Sequence, residues 1–212
     1  MKASTALCIV TLILAWSSLR LYAGEASQPS PTTHKRSCCS SAEPAAAFTD
    51  KSLYQVASRW TTDAGKEITL GALRGKPQVV AMFFANCQYA CPLIVNDMKR
   101  IEAALTPAQR ARVGFTLVTF DPKRDTAQAL AQYRQVRDLP YESWTLLRGA
   151  AADVQELAAL LGVRYKQDAR GQFAHSNIIT VLNADGEIVH QQIGLNQDIQ
   201  ESVNLLTKLV GR

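Results

Sequence analysis

The sequence has 212 residues, 47% of them hydrophobic, and a formal net charge of +5. That length suits one compact domain with appendages and supplies ample material for a core. Lys and Arg are scattered (Lys35-Arg36, Lys99-Arg100, Arg110, Arg112, Lys123-Arg124) and form no basic stripe interleaved with aromatics, which argues against a nucleic-acid partner.

In chain order, Lys2, the apolar or small run Ala6 to Trp16 and the small residues of LYAGEAS predict an export signal over 1–26, cut after Ala23 or Ala26. Left uncut, the same segment would be a membrane anchor with Arg20 at its outer edge. So short a stretch barely spans a bilayer, which takes roughly 20 apolar residues. The chain is therefore expected to be exported to the periplasm, either soluble or tethered to the inner membrane by its N-terminus. Residues 27–50 are dominated by Ser, Thr, Pro and Ala without hydrophobic periodicity, the composition of a flexible tether. The globular domain is expected over 51–212.

LYQVASRWTTDAGKEITL reads as two short strands around an Asp63-Ala64-Gly65 turn. PQVVAMFF is continuously apolar, as in a central strand buried on both faces. Ile94, Met98, Ile101 and Leu105 mark one helical face, and Thr106-Pro107 with Gln109 opens a further short helix. RVGFTLVTF is a second buried strand, followed by a helix carrying Leu130 and Tyr133 that Asp125 can cap. SWTLLRG is a third strand, and Asp153 with Glu156 opens a helix that Gly162 closes. SNIITVLNADGEIVHQQIG is a hairpin, and a last helix buries Ile199, Val203, Leu206 and Val210. Strands alternating with helices, then a late hairpin, predict an α/β thioredoxin-like sandwich with a central mixed sheet and an N-terminal β-hairpin.

Chemistry gathers at FFANCQYACPLI. Cys87 follows the first buried strand, at the carboxyl end where open α/β sheets place function. Pro92 suits the first helical position, which places Cys91 near an N-cap, where the helix dipole favours a thiolate by about 0.3–1 kcal/mol. In an exporting compartment, Cys38, Cys39, Cys87 and Cys91 are too few to be a disulfide scaffold, and Cys8 lies inside the leader. The Cys87–Cys91 spacing allows either a disulfide or two ligands to one ion. Of the three histidines, His34 falls in the tether and His190 in the edge hairpin, so His175, just before an apolar strand, is the candidate third ligand. Two thiolates and one imidazole make a soft site that suits Cu(I) better than Zn(II).

The blocks VVAMFFANCQYACPLIVNDMKRIEAAL, VTFDPKRDTAQALAQY and FAHSNIITVLNADGEIV resemble, in order, the signature blocks of the Sco/SenC family of exported thioredoxin-fold copper proteins. The resemblance implies copper bound by Cys87, Cys91 and His175. It also implies a metallochaperone that delivers copper to the binuclear copper site of cytochrome c oxidase, or prepares the thiols of that site. The implied partners are the copper-site subunit of that oxidase or another copper enzyme, and a thiol reductant. Two positions depart from the common pattern: Gln88 stands where many members have proline, and Ala174 where many have aspartate. Asp121 and Asp125 lie in the DPxRDT block. Asp125 reads as a helix cap, and Asp121 as a turn residue placed to orient His175 or a partner. Cys38-Cys39 reads as a vicinal disulfide, an interchain bridge, a copper relay with His34, or a tail without function. The competing function is a thiol–disulfide oxidoreductase or a peroxiredoxin-like peroxidase, with Cys87 and Cys91 as the redox pair. Against it stand the extra residue relative to CxxC and, for a peroxidase, the lack of a threonine or serine hydroxyl in ANCQYACP. A copper or redox sensor is a third reading.

Overall fold

The computed structural model describes residues 47–211. The expected leader (1–26) and all but the end of the expected tether (27–50), with Cys8, His34, Cys38 and Cys39, lie outside the described residues.

A 3-10 turn at Leu53–Gln55 precedes strands β1 (Trp60–Thr62) and β2 (Glu67–Ile68), which pair around the Asp63–Gly65 turn. The first part of the expected strand is thus a turn: the Ser52 side chain accepts from the Tyr54 N–H and tightens the backbone there. There follow β3 (Gln78–Phe83), α1 (Ala90–Ala104), α2 (Pro107–Arg110), β4 (Gly114–Thr119), α3 (Ala127–Arg137), β5 (Trp144–Gly149) and α4 (Ala151–Leu160). The chain then forms β6 (Tyr165–Gln167), β7 (Phe173–His175), β8 (Ile178–Leu182), β9 (Ile188–Ile193) and α5 (Gln200–Val210).

Seven strands form one mixed sheet in the order β2-β1-β5-β4-β3-β8-β9. β3 runs parallel to β4, and β4 to β5, while β8 is antiparallel to β3 and β1 to β5. All six residues of β3 are buried, as its uninterrupted apolar run requires of a central strand. Helices α1 and α5 pack on one another, with α1 also against β3 and β8, while α3 and α4 pack on β5. The α1 face of Ile94, Met98 and Ile101 is buried, each side chain contributing about 1.5–3 kcal/mol by leaving water. Thr106 and Gln109 form the expected capping box on α2. The β8–β9 turn at Asn183–Gly186 is set by Asn183 Oδ1, which accepts from the N–H groups of Asp185 and Glu187. Gly186 there has φ +85°, and a Cβ would meet the Tyr54 ring at 2.6 Å, so only glycine fits.

Three helix starts differ from expectation. α1 begins at Ala90, so Pro92 is its third residue; a first-turn N–H has no helical partner, and proline costs nothing there. Thr126, not Asp125, caps α3 by accepting from the Ala129 N–H. Asp125 is withdrawn from capping because its carboxylate turns inward, to Ala85 and Thr119. α4 starts after Ala150 without a side-chain cap, with Asp153 in its first turn. Ile199 is half-buried at the N-cap of α5, while Val203, Leu206 and Val210 are buried as expected.

Topology converges three segments on one end of the sheet. The loops after β3 and β4 leave from the carboxyl ends of parallel strands. Because β8 is antiparallel to β3, with Ile179 opposite Ala81, the segment entering β8 arrives at that same end.

Candidate metal centre

The loop after β3 carries Cys87, the first turn of α1 carries Cys91, and the small β6–β7 sheet, which is separate from the main one, carries His175. Sequence reading missed this hairpin. In it Tyr165 pairs with His175 and Gln167 with Phe173.

Cys91 is fully buried and Cys87 half-buried, and neither is in a disulfide. The Cys91 N–H, a first-turn donor with no helical acceptor, points at Cys87 Sγ at 3.3 Å. The helix N-terminus therefore serves the sulfur of Cys87, where sequence reading had placed its influence on Cys91. The Cys91 thiol donates to Cys87, and backbone N–H groups of Cys91 and Tyr89 assist, holding the Cys87 thiol down at about 4. The same thiol–thiolate contact, together with burial, pushes Cys91 up. One proton is thus held between the two sulfurs, on Cys91.

His175 Nε2 lies 3.6 Å from Cys91 Sγ. Its Nδ1 lies 3.0 Å from the Ser176 carbonyl oxygen, which can only accept, so Nδ1 carries a hydrogen and Nε2 is the nitrogen turned toward the sulfurs. The two Sγ atoms and the imidazole nitrogen all lie within 4.8 Å of one another. Among the described residues, no other His, Cys, Asp or Glu joins this group. His190 is elsewhere, on edge strand β9, 3.5 Å from Glu201.

Aromatic rings wall the site. His175 stands 5.0 Å from Phe120 and edge-on to Phe84 at 6.3 Å, and Phe120 stacks on Tyr165 at 5.1 Å. These rings cover one side of the imidazole, which stays half-buried. Gln88 and Ala174, the two departures, are both exposed, and Ala174 alternates with His175 along β7.

Asp121 and Asp125 brace the site from the loop after β4. The buried Asp125 carboxylate accepts from the Ala85 N–H at 2.9 Å and from the Thr119 hydroxyl, anchoring the loop that leads to Cys87. Burial pushes its pKa up against the help of these hydrogen bonds. The Asp121 carboxylate, expected near His175, is taken up instead by Arg124, whose guanidinium also donates to the Gly171 carbonyl. Arg124, Thr119 and the aromatic wall were not singled out from sequence. An Arg three residues beyond an Asp at a strand end was the available signal.

The family model for SCO1/SenC matches residues 49–211. Among curated proteins, the chain is 22% identical over 134 residues to the SCO1 protein homolog of Bacillus subtilis (strain 168), covering 62% of this chain and 69% of that protein. Across curated relatives it spans between 57% and 69% of their length. Among solved structures, Bradyrhizobium japonicum ScoI with copper bound superposes with a TM-score of 0.62 at 22% identity, over 72% of this chain and 96% of that one. A SCO1/SenC family lipoprotein from Bacillus anthracis str. Ames gives 0.66 at 21% identity, over 72% and 92%. Those likenesses bear out the thioredoxin-like fold, and the family match over three quarters of the sequence places this chain in the SCO1/SenC family.

Proposed function

We propose that this chain is an exported copper metallochaperone that holds one Cu(I) through Cys87, Cys91 and His175 and serves assembly of the copper site of cytochrome c oxidase. The observation that carries the reading is the convergence of two sulfurs and one imidazole nitrogen within 4.8 Å. Donors each ~2.3 Å from a shared ion can be no more than ~4.6 Å apart, so small side-chain rotations would close the set on a metal. Three soft or borderline donors without a carboxylate favour Cu(I), since Zn(II) sites usually complete a tetrahedron. Copper in a family relative supports the choice. Export is supported by the apolar N-terminal segment and by a lipoprotein relative. The acceptor follows from the family resemblance; another copper enzyme is the alternative acceptor, and a thiol reductant would keep the pair loaded with protons and electrons.

The test is metal content and Cu(I) competition against a chelator, using reduced protein without a metal-binding tag. One copper per chain is expected. Cys87→Ser and Cys91→Ser should each abolish stoichiometric binding. His175→Ala should weaken retention at least about tenfold, ~1.4 kcal/mol, and leave a reversible Cys87–Cys91 disulfide. Tight stoichiometric copper in Cys87→Ser would sink the site assignment.

One observation favours a second reading. A thiolate at Cys87, with the Cys91 N–H directed at its sulfur, beside a thiol at Cys91 suits a thiol–disulfide oxidoreductase, in which the pair gives two electrons and the one proton it holds to a partner disulfide, the second proton coming from solvent. Such an enzyme would turn over a disulfide substrate at a rate indifferent to His175→Ala.

A further inference from the structure

The β6–β7 hairpin that carries His175 is held to the main body by side chains rather than by strand pairing, with Phe173 against Phe84 and Phe120 and Tyr165 stacked on Phe120. Each of its strands has three residues, it pairs with no strand of the main sheet, and a lone two-stranded hairpin is marginal in water. Among the polar contacts that tie 165–175 to the rest of the domain, two lie at opposite ends of the hairpin. One is the His175–Cys91 contact within the site. The other is the hydrogen bond from Arg124 Nη2 to the Gly171 carbonyl at the hairpin's far end.

Arg124 is itself firmly held. Its Nε donates to the carboxylate of Asp121, which is 3% exposed at the end of β4 and whose own N–H donates to Thr119 Oγ1. The guanidinium lies 6.0 Å from the Phe84 ring centre and 5.8 Å from that of Phe173, within range of a cation–π interaction with a ring on each side of the boundary. Gly171 has φ +76°, where a side chain would be strained, and a Cβ there would come 3.1 Å from Arg124 Nη1 and crowd the guanidinium. The fork therefore joins four partners at once: a fixed carboxylate, two aromatic rings and the hairpin's carbonyl. A lysine, with one compact ammonium, cannot span them.

We propose that Arg124 is the positioning residue that latches the β6–β7 hairpin to the strand end and so keeps His175 within reach of Cys87 and Cys91. It touches no donor atom of the site and acts through His175. The affinity arm of the test rests on the copper reading above, while the exchange arm needs no metal.

In metal-free reduced protein, Arg124→Gln should raise amide exchange across 165–175 at least tenfold and leave the amides of β3 and β4 unchanged. Arg124→Lys should fall between the variant and the parent. Cu(I) affinity should drop about tenfold in Arg124→Gln. In a His175→Ala background the same substitution should change affinity by less than twofold, because the latch then has nothing to position. Unchanged hairpin exchange in Arg124→Gln overturns the latch. Faster exchange with an affinity loss that adds in full to that of His175→Ala overturns action through His175. If the parent binds no copper, the copper reading fails and the exchange result alone decides the latch. Should Arg124→Gln not fold, Asp121→Asn, which removes the charge of the anchor, is read the same way.

Discussion

Cys87 and Cys91 share a proton but not an exposure. Cys91 has no accessible surface, while Cys87 reaches solvent and carries its charge there. A thiol held down at about 4 is ionised throughout the neutral range and regains its proton only as pH falls through that value. Iodoacetamide should therefore modify Cys87 first, with a rate constant nearly flat from about pH 5 to 8 and falling below about pH 4. Peptide mass spectrometry of quenched samples reads both the order and the profile. A rate that climbs tenfold per pH unit up to about 8, as for a free thiol, would show that the Cys91 thiol and the helix N–H groups do not stabilise the charge. Asp125 makes the complementary case: its carboxylate orders the loop before Cys87 although burial opposes its ionisation.

Among the helices, α3 ties the β1–β2 turn to β5. Arg134 is 3% exposed and donates to both carboxylate oxygens of Asp63 (2.5 and 2.9 Å), to the carbonyls of Leu139, Pro140 and Trp144, and lies 4.0 Å from the Tyr141 ring centre. Asp63 sits in the β1–β2 turn, so one side chain fixes that turn, the end of α3 and the start of β5. Arg134→Ala would leave Asp63 buried without a counter-charge and should cost about 3–5 kcal/mol. Urea unfolding should show this as a lower midpoint at an unchanged slope. A loss under about 1 kcal/mol would mean that water or relaxation satisfies Asp63. The elements legible in the sequence were those whose pattern is local. β3 is an apolar run from Val79 onward, β4 is rich in apolar and β-branched residues, α1 shows a helical face, and Thr106 with Gln109 spells its own cap. The β6–β7 hairpin was not legible, because Tyr165, Phe173 and His175 gain their packing from Phe84 and Phe120, some 45 to 90 residues earlier in the chain. Asp125 misled for a related reason: its neighbour Thr126 can also cap, and only the fold shows which of the two faces inward. Cys87, Cys91 and His175 could be named from residue type and placement, but the bracing by Arg124 and Asp125 could not.

Across the whole molecule, packing is already in place at the first described residues. Phe48 meets Tyr54 edge-on at 6.1 Å and lies 4.9 Å from the Arg74 guanidinium, and the Thr49 hydroxyl donates to Glu187 at 2.6 Å. Deleting 1–46 should thus leave a single cooperative thermal transition at an unchanged midpoint. Deleting 1–50 should keep the cooperativity and lower the midpoint by several degrees, since about 1 kcal/mol shifts a domain of 150 or more residues by ~2–4 °C. Calorimetry distinguishes the two, and a molten or aggregated product of the shorter deletion would mean that residues 1–46 take part in the core. The separation of the β6–β7 sheet from the seven-stranded one has a consequence for how such a protein can change over generations. Two of the proposed ligands stand on the main body and the third on an outlying flap, so the ligand set can open without breaking a strand of the large sheet. Substitutions that harden the sheet against heat need not slow the release of a bound ion, and substitutions in the flap can adjust release while the core keeps its heat tolerance. Heat tolerance and the opening of the ligand set can thus be adjusted separately in this architecture.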